Sequence, residues 1–395
     1  MHSRLLPICL IVLACSSAPV DGSSQSPEIN RAKHRAAVQL EAGEYESAVG
    51  TLEALALKTP RDDQVLVMLA DAYRGLGQFD NAVKNYEQAI RIDYGDHLSH
   101  LKLGTWLMEN GKTGRALTEF EVAVKFGNDD PLAHYNYGLA LYELDRRGEA
   151  LEQWRRAREL DPASAEYAEA VGIGLAGVDD RAAVQAFAEA EGLGRDGGKF
   201  YNNYALALER VGRNDEAEKY FIAAATGADA REEYRRNLAL HYMRVGDYAH
   251  AAEGFAGLCA EYTPRWSYCV YLARARVELG DYAAALAALE PFQAQMDAGK
   301  LDRAAPAVDR VPPTLAEALS ALGMAWRGQK DLARARDYLA RAVALDPREP
   351  AHLNNYGVVL AESGMLPEAR AQWKRVLEID PHNATARANL SAYER

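Results

Sequence analysis

The chain is 395 residues long, 49% apolar, 26% charged and 9% aromatic, with a net charge of −12 at pH 7. That balance suits a helical protein and argues against a general affinity for nucleic acid, because no basic stripe offsets the acidic surplus. Length alone would suggest two or three globular domains.

The N-terminus differs in kind from the rest. His2 and Arg4 precede the apolar run Leu5–Ala14. Ten helical residues reach only ~15 Å, about half of a bilayer core. The run therefore reads as the apolar part of an export signal, not as a membrane span. It closes on Val12-Leu13-Ala14-Cys15, which resembles the bacterial lipobox. The resemblance implies a signal peptide over residues 1–14 and lipidation of Cys15. Ser16 after the cysteine resembles lipoproteins sorted to the outer membrane, so the expected location is the periplasmic face of a bacterial outer membrane. The alternative is a secretory signal cut after Ala18, which would leave a soluble periplasmic protein. Residues 15–28 hold the lipidated cysteine and a Ser/Pro/Gly-rich tether.

Beyond the tether, ten alanines set a rhythm: Ala48, Ala82, Ala116, Ala150, Ala183, Ala217, Ala251, Ala285, Ala335 and Ala369. They recur at one interval, except that Ala183 follows Ala150 one position early and Ala335 follows Ala285 about half an interval late. A fixed period of about 34 residues marks an array of repeated units and overrides the length prior. Gly or Ala stands twelve before the alanine in most units, as in Gly104, Gly138, Gly323 and Gly357. It predicts a close approach of two helices. Gly stands five before in seven units, from Gly43 to Gly364, and predicts a left-handed helix end. An aromatic residue or Leu stands four after, as in Phe120, Trp154 and Trp373, and is expected to fill space between neighbouring units. Asp161-Pro162, Asp346-Pro347 and Asp380-Pro381 are expected to stop the second helix, since the residue before Pro is pushed out of the helical region.

Together these residues resemble the tetratricopeptide repeat, a helix-turn-helix unit with this same period. The resemblance covers roughly residues 29–385. It implies an all-α, right-handed superhelical solenoid of about ten units. Units one to eight occupy 29–291 and units nine and ten 316–383, with a C-terminal capping helix at 384–395. The long interval between Ala285 and Ala335 marks an insertion over 292–315, expected as a loop or short extra helix.

Chemistry has few candidates. Two G-x-G-x-x-G strings, Gly172–Gly177 and Gly192–Gly197, lack the preceding strand that phosphate binding requires. His97 and His100 lie near Asp93 and Asp96, but zinc wants three or four convergent ligands, so a solvated inter-repeat loop is expected. No catalytic dyad is evident, and the array leaves no room for a separate catalytic domain. The chain is expected to be no enzyme and to take no cofactor, metal or small-molecule substrate. Cys259 and Cys269 sit almost symmetrically about the turn near Thr263-Pro264, between two antiparallel helices. They read either as a disulfide or as two buried thiols.

Arrays of the tetratricopeptide type bind extended peptides along their concave groove, lined by the second, fifth, sixth, ninth, twelfth and thirteenth residues of each unit. The resemblance places Asn136, Asn203, Asn237 and Asn355 at sixth positions and Tyr135, Asn202, Arg236 and Asn354 at fifth positions. Tyr142, Tyr271 and Arg274 complete the candidate groove set. An Asn amide both donates and accepts, so it can pair with a partner backbone of any sequence. These asparagines are expected to face solvent. The expected function is a non-enzymatic, lipid-anchored scaffold for a protein or peptide partner, in assembly of an envelope, pilus or secretion complex. A periplasmic adaptor for peptidoglycan or exopolysaccharide enzymes is the alternative. A regulatory repeat domain of an enzyme is disfavoured.

Overall fold

The computed structural model describes residues 26–262, 266–297 and 314–393. Cys15, the signal segment, most of the tether and residues 298–313 of the insertion lie outside the described residues. Contacts divide the chain between Asp196 and Gly197 into two compact bodies.

The first body holds five helix pairs. These are α1 (Pro27–Glu41) with α2 (Tyr45–Lys58), α3 (Asp63–Gly75) with α4 (Phe79–Ile92), and α5 (His97–Glu109) with α6 (Thr113–Phe126). α7 (Pro131–Glu143) with α8 (Arg147–Leu160) and α9 (Ala165–Leu175) with α10 (Asp180–Gly192) complete it. The second body holds five more pairs. They are α11 (Gly198–Arg210) with α12 (Asn214–Thr226), α13 (Glu232–Val245) with α14 (Tyr248–Glu261), and α15 (Trp266–Glu278) with α16 (Tyr282–Asp297). α17 (Leu315–Gly328) with α18 (Leu332–Leu345) and α19 (Pro350–Glu362) with α20 (Leu366–Ile379) follow, and α21 (Ala384–Ala392) closes it. No strand occurs among the described residues.

All ten rhythm alanines are 0% exposed. They mark the points where each second helix touches its first. Opposite them, a Cβ added at Gly104 would meet the Phe120 ring at 2.7 Å, and one at Gly138 or Gly357 would run into Trp154 or Trp373. The aromatic therefore packs on the small residue sixteen before it in its own unit, and it also fills space towards the next unit as expected: Trp154 touches Gly174, Phe221 lies 5.1 Å from His241 and Phe255 4.9 Å from Tyr271.

The turn between paired helices is left-handed. Gly43, Gly77, Gly111, Gly212, Gly246, Gly280 and Gly364 all have φ between 68° and 82°. The equivalent residues of units four and nine are Asp145 (φ 59°) and Lys330 (φ 62°). Asp161, Asp346 and Asp380 cap the C-termini of α8, α18 and α20, where the Asp-Pro pairs predicted a stop. Aspartates also start helices: Asp62, Asp96 and Asp130 accept backbone N–H bonds at the N-termini of α3, α5 and α7.

The insertion begins later than expected. α16 runs through Pro291 to Asp297, and Phe292 is buried in the core formed with α17. Gln293 donates to the Tyr338 hydroxyl at 2.9 Å, and Arg341 pairs with Asp297 at 3.1 Å, so this extension is tied to α18. At the C-terminus Tyr393 stacks on Trp373 with ring centroids 5.5 Å apart, and Arg370 bonds its carbonyl.

Candidate partner-binding face

The first helix of each pair carries the residues at the candidate groove positions. Within the second body, Asn203 on α11, Asn237 on α13, Tyr271 and Arg274 on α15 and Asn355 on α19 are half-buried. Their fifth-position neighbours Asn202, Arg236 and Asn354 are buried. The two positions thus divide the work. Asn237 donates to Asn202 at 2.8 Å, and Asn355 donates to the Ser320 hydroxyl at 3.4 Å. A sixth-position amide in one repeat grips the fifth-position group of the repeat before it. Asn354 turns the other way and donates to Asn383 at 3.3 Å.

Such a bond uses one of an amide's two N–H groups and leaves its carbonyl oxygen, with its own lone pairs, available. The asparagines are consequently structural on one side and open on the other. Tyr271 stacks on Phe255 at 4.9 Å, with Arg274 lying 5.7 Å from its ring centroid and reaching Glu317 at 3.3 Å. Aromatic and guanidinium planes held in this way are well suited to recognition.

In the first body the expectation changes more. Asn136 is buried, not solvent-facing. Tyr135 packs on Tyr167 at 5.2 Å and donates to Glu166 at 2.9 Å; its burial and that carboxylate push its hydroxyl well above the ordinary range. Tyr142 is half-buried against Trp154, with Arg147 over its ring. Next to them Glu169, 4% exposed, is held by Arg195.

Charges of opposite sign recur between the twelfth residue of one repeat and the thirteenth of the next. Arg74 meets Glu109 at 2.7 Å, Glu209 meets Arg244 at 2.6 Å, and Arg327 meets Glu362 at 2.5 Å. Burial alone would raise the Glu209 carboxyl, but the His241 hydrogen bond and the Arg244 charge hold it below the usual carboxylate range. These pairs went unread in the sequence, although opposite charges one position beyond the repeat period were there to find. Lys102 with Asp71, at 2.6 Å, adds a similar bridge from sixth to ninth position.

The histidine cluster resolves into structural bonds. His100 is buried, with one ring nitrogen 2.7 Å from Glu119 and the other 3.2 Å from the Tyr94 carbonyl. His134 repeats the arrangement one unit on, with Gln153 and the Asn128 carbonyl. His100 is thus not part of a solvated loop but a brace between α5, α6 and the turn before α5. Gly172 and Gly174 lie inside α9, and Gly194 and Gly197 in the connection between α10 and α11, with no strand nearby. In the second body Cys259 of α14 and Cys269 of α15 are joined in a disulfide, with Cα atoms 5.1 Å apart.

Family models described as the tetratricopeptide repeat match residues 63–96, 131–164, 198–226 and 266–291, and the overlapping segments 292–350 and 320–384. No curated protein matches the sequence. Among solved structures, MamA is 26% identical over 40% of this chain and 92% of its own, with a TM-score of 0.38. PilF of Pseudomonas aeruginosa is 20% identical over 51% and 92%, with a TM-score of 0.45. PilW, a type IV pilus biogenesis factor, is 14% identical over 55% and 99%, with a TM-score of 0.47. The segments that begin at 63, 131, 198 and 266 start where helix pairs start. The chain belongs to the tetratricopeptide repeat family.

Proposed function

We propose that this protein is a lipid-anchored adaptor that holds an extended segment of a partner protein along its first helices. Repeats of this family serve protein–protein interaction, and the described residues are such repeats from end to end. The observation that carries the reading is the half-buried row Asn203, Asn237, Tyr271 and Arg274 in the second body, where Asn202 holds the Asn237 amide and Arg274 lies over the Tyr271 ring. The anchor rests on the lipobox-like Val12–Cys15, and the location on Ser16: the periplasmic face of a bacterial outer membrane. The disulfide supports an oxidising compartment. In that setting the adaptor would serve assembly of an envelope complex.

The test is capture of partners from detergent-solubilised membranes. Replacing Asn203, Tyr271 and Arg274 together by Ala should cut capture at least tenfold, at roughly 1 kcal/mol or more for each lost contact. The fold should survive, because none of the three is buried. Unchanged capture by the triple variant would move the interface off this face. Asn136 is left out because its burial makes Asn136→Ala a test of packing.

A further inference from the structure

The first helix of the array carries an exposed basic stripe on an otherwise acidic chain. Arg31, His34, Arg35 and Val38 follow the i, i+3, i+4, i+7 spacing of one helical stripe on α1, and all four are exposed, Val38 by 50%. Nearby cations find acids: Lys33 pairs with Asp62 at 2.6 Å, and Lys58 with Glu28 at 2.8 Å. The two arginines do not. Arg31 bonds only the Pro27 carbonyl, at 3.2 Å, and its charge acts weakly on Glu28, which Lys58 already holds. Arg35 and His34 make no hydrogen bond or ion pair among the described residues. Like charges four apart on a helix disfavour it by a few tenths of a kcal/mol.

We propose that this stripe rests on the headgroups of an anionic phospholipid bilayer. The inference deepens the anchored reading and rests on it. The N-cap of α1, Ser26, follows Cys15 by only eleven positions. Even fully extended, eleven residues reach only ~40 Å, so α1 is the helix that an anchor at Cys15 holds nearest the bilayer. Anionic headgroups attract Arg over about a Debye length, ~8–10 Å, and each Arg at the surface adds to the binding. Val38 adds apolar area to the same stripe. The acidic surplus elsewhere on the chain is repelled by the same field, which leaves this stripe of α1 as the face turned towards the bilayer.

The chain from residue 15 on, carrying Cys15→Ser, keeps every described residue and isolates the stripe from the lipid. It is sedimented with vesicles of phosphatidylcholine alone or with about one-third phosphatidylglycerol. The proposal expects on the order of tenfold more binding to the anionic vesicles. That excess should vanish at about 0.5 M salt and in Arg31→Gln/Arg35→Gln, and persist in Arg31→Lys/Arg35→Lys. Equal binding to both vesicles, or an excess untouched by the glutamine pair, overturns it. Helicity measured by circular dichroism guards the glutamine variant; should it misfold, the salt titration and the lysine pair decide. Palmitate labelling of the unaltered protein is read separately. Unlabelled protein with an intact anionic excess sinks the anchor and leaves the stripe, and labelled protein without the excess does the reverse.

Discussion

At the residue scale the turns show how tightly the repeat dictates local conformation. Seven glycines were legible from spacing alone, because only Gly takes φ near +70° without strain. Asp145 and Lys330 adopt the same conformation because the helices on either side fix the turn whatever residue occupies it. Lys330→Gly should therefore stabilise its body by about 0.5–1 kcal/mol, and Asp145→Gly by less, since Asp tolerates the left-handed region better and pairs with Arg147. Urea titration reads both; a loss of stability in Lys330→Gly would mean that its side chain contributes more than its backbone costs. A second residue carries a pH dependence. His352 is buried on α19, and desolvation, helped by Arg274, pulls its imidazole below the ordinary 6.5 in spite of Glu349, Glu317 and Asp346 nearby. The folded state therefore binds this proton less readily than the unfolded chain. Its neutral form leaves stability unaffected above pH 6.5, and stability falls as pH drops below that value towards the folded pKa. The melting temperature of the wild type should decline more from about pH 7.5 to about pH 5.5 than that of His352→Leu. Parallel declines would rule His352 out.

At the element scale most helix pairs are a lock between a small residue and a ring, with Leu52, Leu289 and Leu339 in the ring's place in three of them. Trp373 is the fullest case. It is 0% exposed, its indole N–H donates to the Asn354 carbonyl at 3.4 Å, it fills the notch at Gly357, and Tyr393 stacks on its far side. Trp373→Ala should cost about 3–5 kcal/mol. The loss should fall on α19, α20 and α21, because repeats are stabilised by their neighbours. Amide exchange that quickens equally along the whole chain would contradict that picture. The period revealed the helices and their stops but hid what lies across from each side chain. Spacing could not show that Asn136 is buried beside Tyr135, which packs on Tyr167 of the next first helix, whereas Asn203 and Asn237 stay open. Nor could it show that α16 carries through Pro291, since Pro ordinarily ends a helical pattern. Those outcomes depend on pairs of repeats, and a one-dimensional rhythm describes single ones.

At the scale of the whole molecule, most of the structure is local: helix against next helix, with braces such as Arg74–Glu109 and Asn237–Asn202 reaching one repeat further. The Cys259–Cys269 bond is the exception in kind, because it is covalent. Its consequence is mechanical. If the proposed anchor holds and a partner pulls on the proposed face, the repeats between them would carry the tension, and each would yield by releasing length. The bond spans a sequence separation of 10 residues and holds their ends 5.1 Å apart, which conceals ~30 Å of contour that a pull cannot release while the sulfurs stay joined. Stretched between a surface and a cantilever, the oxidised chain should come to its full extension ~30 Å short of the reduced one. Repeats seven and eight would stay linked at that point under any load too small to cut a sulfur–sulfur bond.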